Sequence, residues 1–236
     1  MRLNKLISDS GLCSRREADR LITDGRIRVN GKVADLGTAV GSDDEIHFDH
    51  EIIPTRSAQN QAKSRIYIAF NKPVGITCTT DQRIDGNIID FIDHPERIFP
   101  IGRLDKDSEG LILLTNDGDS VNKILRAENG HEKEYLVLVD KPIAEGFLAG
   151  MARGVRVHHT TTLPCRVTRV SKYLFRIVLV QGLNRQIRLM CEAFGYRVKG
   201  LQRERIENIR LDHLKLGRWR NLSPAEIKGL LPQRSQ

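Results

Sequence analysis

Residues 54–64, Pro-Thr-Arg-Ser-Ala-Gln-Asn-Gln-Ala-Lys-Ser, carry no large apolar side chain and cannot contribute to a hydrophobic core. A stretch of that composition reads as a flexible linker. The chain is therefore expected to bury its apolar residues in two separate units, 1–53 and 65–232, and 236 residues are ample for both.

The first unit is patterned as helix, helix, hairpin. Arg2 to Ile7 places Leu3, Leu6 and Ile7 on one helical face, and Ser8-Asp9-Ser10-Gly11 stops it. Ser14-x-x-Glu17 predicts a capped helix start, with Ala18, Leu21 and Ile22 as its apolar stripe and Gly25 at its end. Arg26 to Asn30 alternates as a strand, Asn30-Gly31 supplies a hairpin turn, and Lys32 to Val40 returns. The acidic run Asp43 to Asp49 is expected as the last strand.

From Arg65 onward, strands are predicted at Ile66–Phe70, Ile98–Ile101, Leu111–Leu114, Tyr135–Val139, Cys165–Val170 and Phe175–Val180. Helices are predicted at Ser120–Arg126, Ile143–Met151 and Arg185–Phe194, and Leu231 to Gln236 reads as a loose tail. The elements follow no regular βαβ rhythm. The expectation is an α+β domain built on a mixed, mostly antiparallel sheet with flanking helices.

One segment is not explained by packing. Gly102-Arg103-Leu104-Asp105-Lys106-Asp107-Ser108-Glu109-Gly110 is a Gly-bounded loop that feeds the apolar run Leu111 to Leu114. An isolated Asp in such a turn reads as solvated surface, yet an anionic carboxylate flanked by Arg103 and Lys106 can also serve as nucleophile or general base. Two further pieces stand out. Lys133-Glu134-Tyr135 opens a strand, and Arg185 and Arg188 lie three residues apart on one face of a helix whose other face carries Ile187, Met190 and Cys191.

Charge points to a polyanionic partner. There are 38 Lys plus Arg against 30 Asp plus Glu, a net charge of +8. Residues 185–220 hold ten of the cations and four acids, and residues 1–32 hold eight and four, so two basic blocks lie far apart in the chain. Cys13, Cys78, Cys165 and Cys191 are scattered without metal-ligand spacing and read as free thiols of a reducing compartment, with no metal site. Met1 to Lys5 shows no apolar signal segment and no run is long enough to span a bilayer, so a cytoplasmic protein without a membrane partner is expected.

The first unit resembles the S-four RNA-binding domain through Arg2-Leu3-Asn4-Lys5, Gly11, Ser14-Arg15-Arg16, Ala18, Leu21-Ile22, Gly25 and Val29-Asn30-Gly31-Lys32. That resemblance implies RNA contacts for Lys5, Arg15, Arg16 and Lys32. The Gly-Arg-Leu-Asp segment resembles the catalytic motif of RNA pseudouridine synthases of the RsuA/RluB/RluE/RluF group, which implies that Asp105 is the essential residue. Asn71-Lys72-Pro73-Val74-Gly75 is similar to the family's Lys-Pro-x-Gly turn, read as architecture with Lys72 as a phosphate contact. In the same resemblance Tyr135 lies against the uracil ring, Arg188 pairs with and orients Asp105, and Arg185 and Lys133 contact RNA. Arg103 is implied to enter the RNA stack in place of the expelled uridine.

The resemblance implies isomerisation of uridine to pseudouridine, without cofactor, by a monomer acting on structured RNA. It is nearest the RluF type in Pro100 to Ser108, Val121 to Ala127, His131 to Val137 and Val180 to Arg188. That type implies 23S ribosomal RNA as main target and a tRNA anticodon uridine as second. One departure is the long basic C-terminal tail of some RluF-type proteins, which this sequence does not show. A non-catalytic RNA-binding or ribosome-assembly protein, and a DNA-binding regulator using Ser14 to Thr23 as a recognition helix, are the competing readings. Intact Asp105, Tyr135 and Arg188 weigh against the first, and the Asn30-Gly31 hairpin against the second.

Overall fold

The computed structural model describes residues 1–53, 65–125 and 130–231. The linker expected at 54–64, Arg126 at the end of a predicted helix and most of the expected tail lie outside the described residues. The chain divides into two compact units, Met1–Arg65 and Ile66–Gln236.

The first unit contains α1 (Leu3–Asp9), α2 (Arg15–Thr23), β1 (Ile27–Val29), β2 (Lys32–Val33), β3 (Ile46–Phe48) and β4 (Glu51–Ile52). The start of α2 is set where the backbone N–H of Glu17 donates to Ser14 Oγ at 3.2 Å. Asn30 and Gly31 both take left-handed conformations, φ 51° and 78°, the two-residue turn that matches the twist of paired strands. Leu3, Ile7, Ala18, Ile22, Ile27 and Ile46 close the core. Two expectations change. The returning strand shrinks from Lys32–Val40 to β2 because the Asp35 carboxylate accepts the N–H of Gly37 at 2.8 Å and the Thr38 hydroxyl at 3.0 Å, folding the backbone into a turn. The strand within Asp43–Asp49 is β3, and β4 follows it at the sheet edge.

The second unit runs β5 (Tyr67–Lys72), α3 (Ile88–Ile92), β6 (Phe99–Ile101), β7 (Glu109–Thr115), α4 (Gly118–Leu125), β8 (Lys133–Val139), α5 (Glu145–Arg153), β9 (Arg156–Val157), β10 (Thr160–Thr161), β11 (Arg166–Arg169), β12 (Leu174–Leu179), α6 (Gln186–Ala193), β13 (Val198–Ile206), β14 (Ile209–Arg210), β15 (Trp219–Asn221) and α7 (Pro224–Leu230). The main sheet has the order β11-β12-β8-β13-β7-β5-β15, with β14 paired to β13 and β6 to β7. Its pairs are antiparallel except β7 with β13. The fold is thus α+β on a mixed, mostly antiparallel sheet.

Both faces of this sheet are covered, which is why its central strands read as continuous apolar runs. Ile68, Phe70, Ile112 and Leu114 face one core together with Phe147, Met151, Ile187 and Met190. Tyr67, Ala69, Leu111 and Leu113 face the other with Ile124, Leu222 and Leu230. Strand β13, at the centre of the sheet, is not among the predicted strands, nor are helices α3 and α7 among the predicted helices.

Gly110 makes the parallel β7–β13 pairing possible. It has φ 103°, and a Cβ there would collide with the Arg203 carbonyl oxygen and lie 2.7 Å from the Arg203 nitrogen. Gly110→Ala is expected to destabilise the protein by about 3 kcal/mol, since backbone atoms cannot step aside and the conformation is strained for any side chain. Urea unfolding of the two proteins measures this.

Candidate active site

Asp105 stands on the loop between β6 and β7. Leu104 and Ser108 anchor the loop in the interior, and the turn closes where the Ser108 N–H donates to the Asp105 carbonyl at 3.1 Å. The side chain of Asp105 is half-buried and makes no hydrogen bond or ion pair among the described residues. The Lys-Pro-x-Gly turn packs onto the same loop, with the Gly75 N–H donating to the Lys106 carbonyl at 2.8 Å. Lys72 departs from its expected role as a phosphate contact. It is fully buried, and its Nζ donates to the carbonyls of Pro73 and Ile76, each at 2.9 Å. Burial pushes its pKa down, opposed by the negative charges of Asp107 and Asp105. Lys72 therefore braces the turn from within.

On the far side of the loop, α6 brings Arg185 and Arg188 together on Asp107. The Arg188 Nη2 donates to the Asp107 carbonyl at 2.8 Å and to Ser108 Oγ at 3.0 Å, and lies 3.4 Å from the Asp107 carboxylate. Arg185 takes a left-handed conformation, φ 52°, and meets the two carboxylate oxygens of Asp107 at 3.3 Å. The expected Arg188–Asp105 ion pair is not formed in this structure. The reason is geometric: the turn presents the backbone and side chain of Asp107 to α6, so Arg188 grips the loop two residues beyond Asp105.

Tyr135, on β8, is 8% exposed. It lies opposite Arg203 of β13 in the strand register, and the guanidinium carbon of Arg203 is 5.9 Å from the Tyr135 ring centre. Sequence reasoning does not single out Arg203, which enters it only as part of a basic block. It is 4% exposed, and its Nε donates to the Leu111 carbonyl at 2.6 Å. Its Nη1 reaches the Arg103 carbonyl at 3.4 Å and the Tyr135 hydroxyl at 3.5 Å. A single buried side chain thus connects Tyr135 to both flanks of the Asp105 loop. No sequence pattern marks it; in the structure it is one of three buried residues of β13, with Leu201 and Ile206. Lys133 is half-buried, donates to the His131 carbonyl at 3.0 Å, and has its pKa lowered by burial. Arg103 is exposed.

In the first unit, Arg15 and Arg16 are exposed in the first turn of α2, and Lys32 is exposed on β2. Lys5 is half-buried on α1 and pairs with Asp9 at 2.9 Å.

Comparison with known proteins places both units. A model of the RNA pseudouridylate synthase family matches residues 66–193, and an S4 domain model matches residues 1–46. The chain is 55% identical over 227 residues to the dual-specificity RNA pseudouridine synthase RluF of Escherichia coli (strain K12), covering 96% of this chain and 77% of that one. It is 34% identical to the ribosomal large subunit pseudouridine synthase B of Bacillus subtilis (strain 168), covering 97% and 95%. A crystal structure of a pseudouridylate synthase superposes with a TM-score of 0.71 at 29% identity, over 98% of this chain and all of that one.

Proposed function

The chain belongs to the RNA pseudouridine synthase family, and from that premise we propose that it isomerises a specific loop uridine to pseudouridine, chiefly in 23S ribosomal RNA and secondarily in a tRNA anticodon. The reaction breaks the bond from ribose C1′ to uracil N1 and joins C1′ to C5, with no redox change, so no cofactor is expected. The observation that carries the catalytic assignment is the arrangement of the Asp105 loop. The loop is clamped by Arg188 on one side and by Arg203 with Tyr135 on the other, while the Asp105 carboxylate itself is unengaged. Asp105 acts on the ribose, by attack at C1′ or by removing a neighbouring sugar proton; both routes expel the uracil with the N1–C1′ electron pair. Tyr135 lies against the uracil ring, and Arg188 positions the loop.

A base in a continuous duplex costs a few kcal/mol to expel, and a loop uridine costs less. The choice of RNA rests on the likeness to RluF, whose description as dual-specificity supports a second target beside the first. Residues 1–53 grip the RNA through Lys5, Arg15, Arg16 and Lys32, are joined through 54–64, and deliver it to the catalytic residues 65–232, where Arg103, Lys133 and Arg185 contact it. Lys72, being internal, takes no part in binding. A monomer in the cytoplasm is part of the same proposal. Among the described residues no helix is long and apolar enough to cross a membrane.

Mapping pseudouridines across total RNA, with and without this protein, tests the reading. Loss at one loop uridine of 23S RNA, with or without a tRNA site, is the expected result. Loss confined to 16S RNA overturns the target, and loss nowhere overturns the activity. For the first unit, replacing Arg15 and Arg16 with Gln should reduce the slope of log affinity against log salt by roughly 0.7 to 0.9 for each phosphate that the two arginines neutralise. An unchanged slope would remove both arginines from the RNA surface.

A further inference from the structure

Arg203 has a position that packing alone does not account for. A guanidinium taken out of water costs several kcal/mol unless it meets a carboxylate or has all its N–H groups satisfied. Arg203 has neither. Among the described residues it forms no ion pair, its Nη2 is buried without a hydrogen-bond partner, and two of its three bonds sit at the outer limit of hydrogen-bonding distance. By contrast Arg205, two residues along β13, meets the carboxylates of Glu132 and Glu134, each at 2.9 Å. Half-buried Arg205 thus has two carboxylates, from β8 and the residue before it, where the more deeply buried Arg203 has none.

The groups that Arg203 does touch belong to the proposed reaction centre. Its Nη1 joins the hydroxyl of Tyr135 to the carbonyl of Arg103, two residues before Asp105, while its Nε holds the carbonyl of Leu111 at the start of the apolar part of β7. Gly110 lets the β13 backbone come this close, which fixes the root of the side chain. The resting site therefore contains an under-compensated buried cation beside the aromatic ring. In the reaction, the N1–C1′ bond breaks with its electron pair on the uracil, whose carbonyl oxygens share the negative charge. C5 then bonds to C1′, the C5 proton is lost, and N1 takes up a proton. A fixed positive charge is most effective where negative charge develops in a water-poor site.

Resting on the reading under Proposed function, we infer that Arg203 is a positioning residue for the isomerisation: it ties Tyr135 to the Asp105 loop, and its uncompensated charge stabilises the departing uracil anion. The test is steady-state pseudouridine formation on a 23S RNA transcript by the full chain, comparing wild type with Arg203→Met, Arg203→Lys, Tyr135→Phe and the Met/Phe double variant. Thermal unfolding is followed in parallel. Arg203→Met should lower kcat about a hundredfold with KM within about threefold, and Arg203→Lys, which keeps the charge, should recover at least about tenfold of that loss. Because the two side chains act through one contact, the double variant should fall no more than about threefold below the worse single one.

Unchanged kcat in both Arg203 variants, a loss lying wholly in KM, or losses that multiply with Tyr135→Phe would overturn the inference. Should Arg203→Met not fold, Arg203→Lys decides: a kcat at least about threefold below wild type at unchanged KM supports the role, and wild-type kcat overturns it. Wild-type protein that makes no pseudouridine would overturn the underlying reading itself. Active wild type with unaffected Arg203 variants would overturn only this step.

Discussion

Asp105→Asn should lower pseudouridine formation by at least about a hundredfold while leaving the fold and the affinity for RNA close to wild type. The substitution keeps the size and shape of the side chain and replaces one carboxylate oxygen with an uncharged amide nitrogen. In the structure that carboxylate supports nothing else: the loop is closed by the backbone carbonyl of Asp105, which accepts from Ser108, and Asn preserves this bond. Asp107→Asn is the matched control. Asp107 is exposed and its carboxylate serves Arg185 and Arg188, so neutralising it loosens two interactions on the loop and should leave substantial activity. Single-turnover assays on one RNA, with binding measured separately, distinguish the two carboxylates.

Arg188→Met should damage both stability and rate. Arg188 is buried, and its Nη2 serves the Asp107 carbonyl and Ser108 Oγ, the latter on a side chain with no solvent exposure. Stranding those acceptors is expected to cost about 2–4 kcal/mol of stability. With its clamp gone the loop no longer holds Asp105 in one place, and a displacement of this kind is expected to lower kcat on the order of a hundredfold. Lys at the same position carries the charge but not the planar fork, so Arg188→Lys should recover only part of the loss. Denaturant unfolding and kcat, measured on the same preparations, check both halves.

What could be read from the sequence depended on how local its cause was. The first unit was legible because its determinants lie within a few residues of one another: Ser14 capping α2, and Asn30-Gly31 setting the hairpin. The β7 run was legible because both its faces are buried and nearly every residue is apolar. Strand β13 was not. Its register with β8 shifts between Val198 and Gly200 and again between Arg203 and Arg205, which breaks the alternation a pattern search needs. Its buried positions also include an arginine.

The same strand shows where a charge count misleads. Arg188 and Arg203 are buried, and Arg205 is paired with Glu132 and Glu134. The basic excess of residues 185–220 is therefore only partly available to RNA. Nor could sequence decide between Asp105 and Asp107 as the partner of Arg188, because two carboxylates two residues apart are told apart only by how the turn presents them. The burial of Lys72 is hidden from sequence for a similar reason: its neighbours in the chain supply the carbonyls that draw its ammonium inward.

The most direct measurement uses RNA labelled with tritium at uracil C5. Joining C5 to the ribose expels that hydrogen, so the purified chain, with no added cofactor, should release one tritium into water for each pseudouridine found by mapping. The Asp105→Asn protein should release essentially none while still binding the RNA. Tritium release undiminished in Asp105→Asn, or none from the wild-type chain on 23S RNA carrying unmodified target uridines, would contradict the assignment of Asp105 as the group that starts uridine isomerisation.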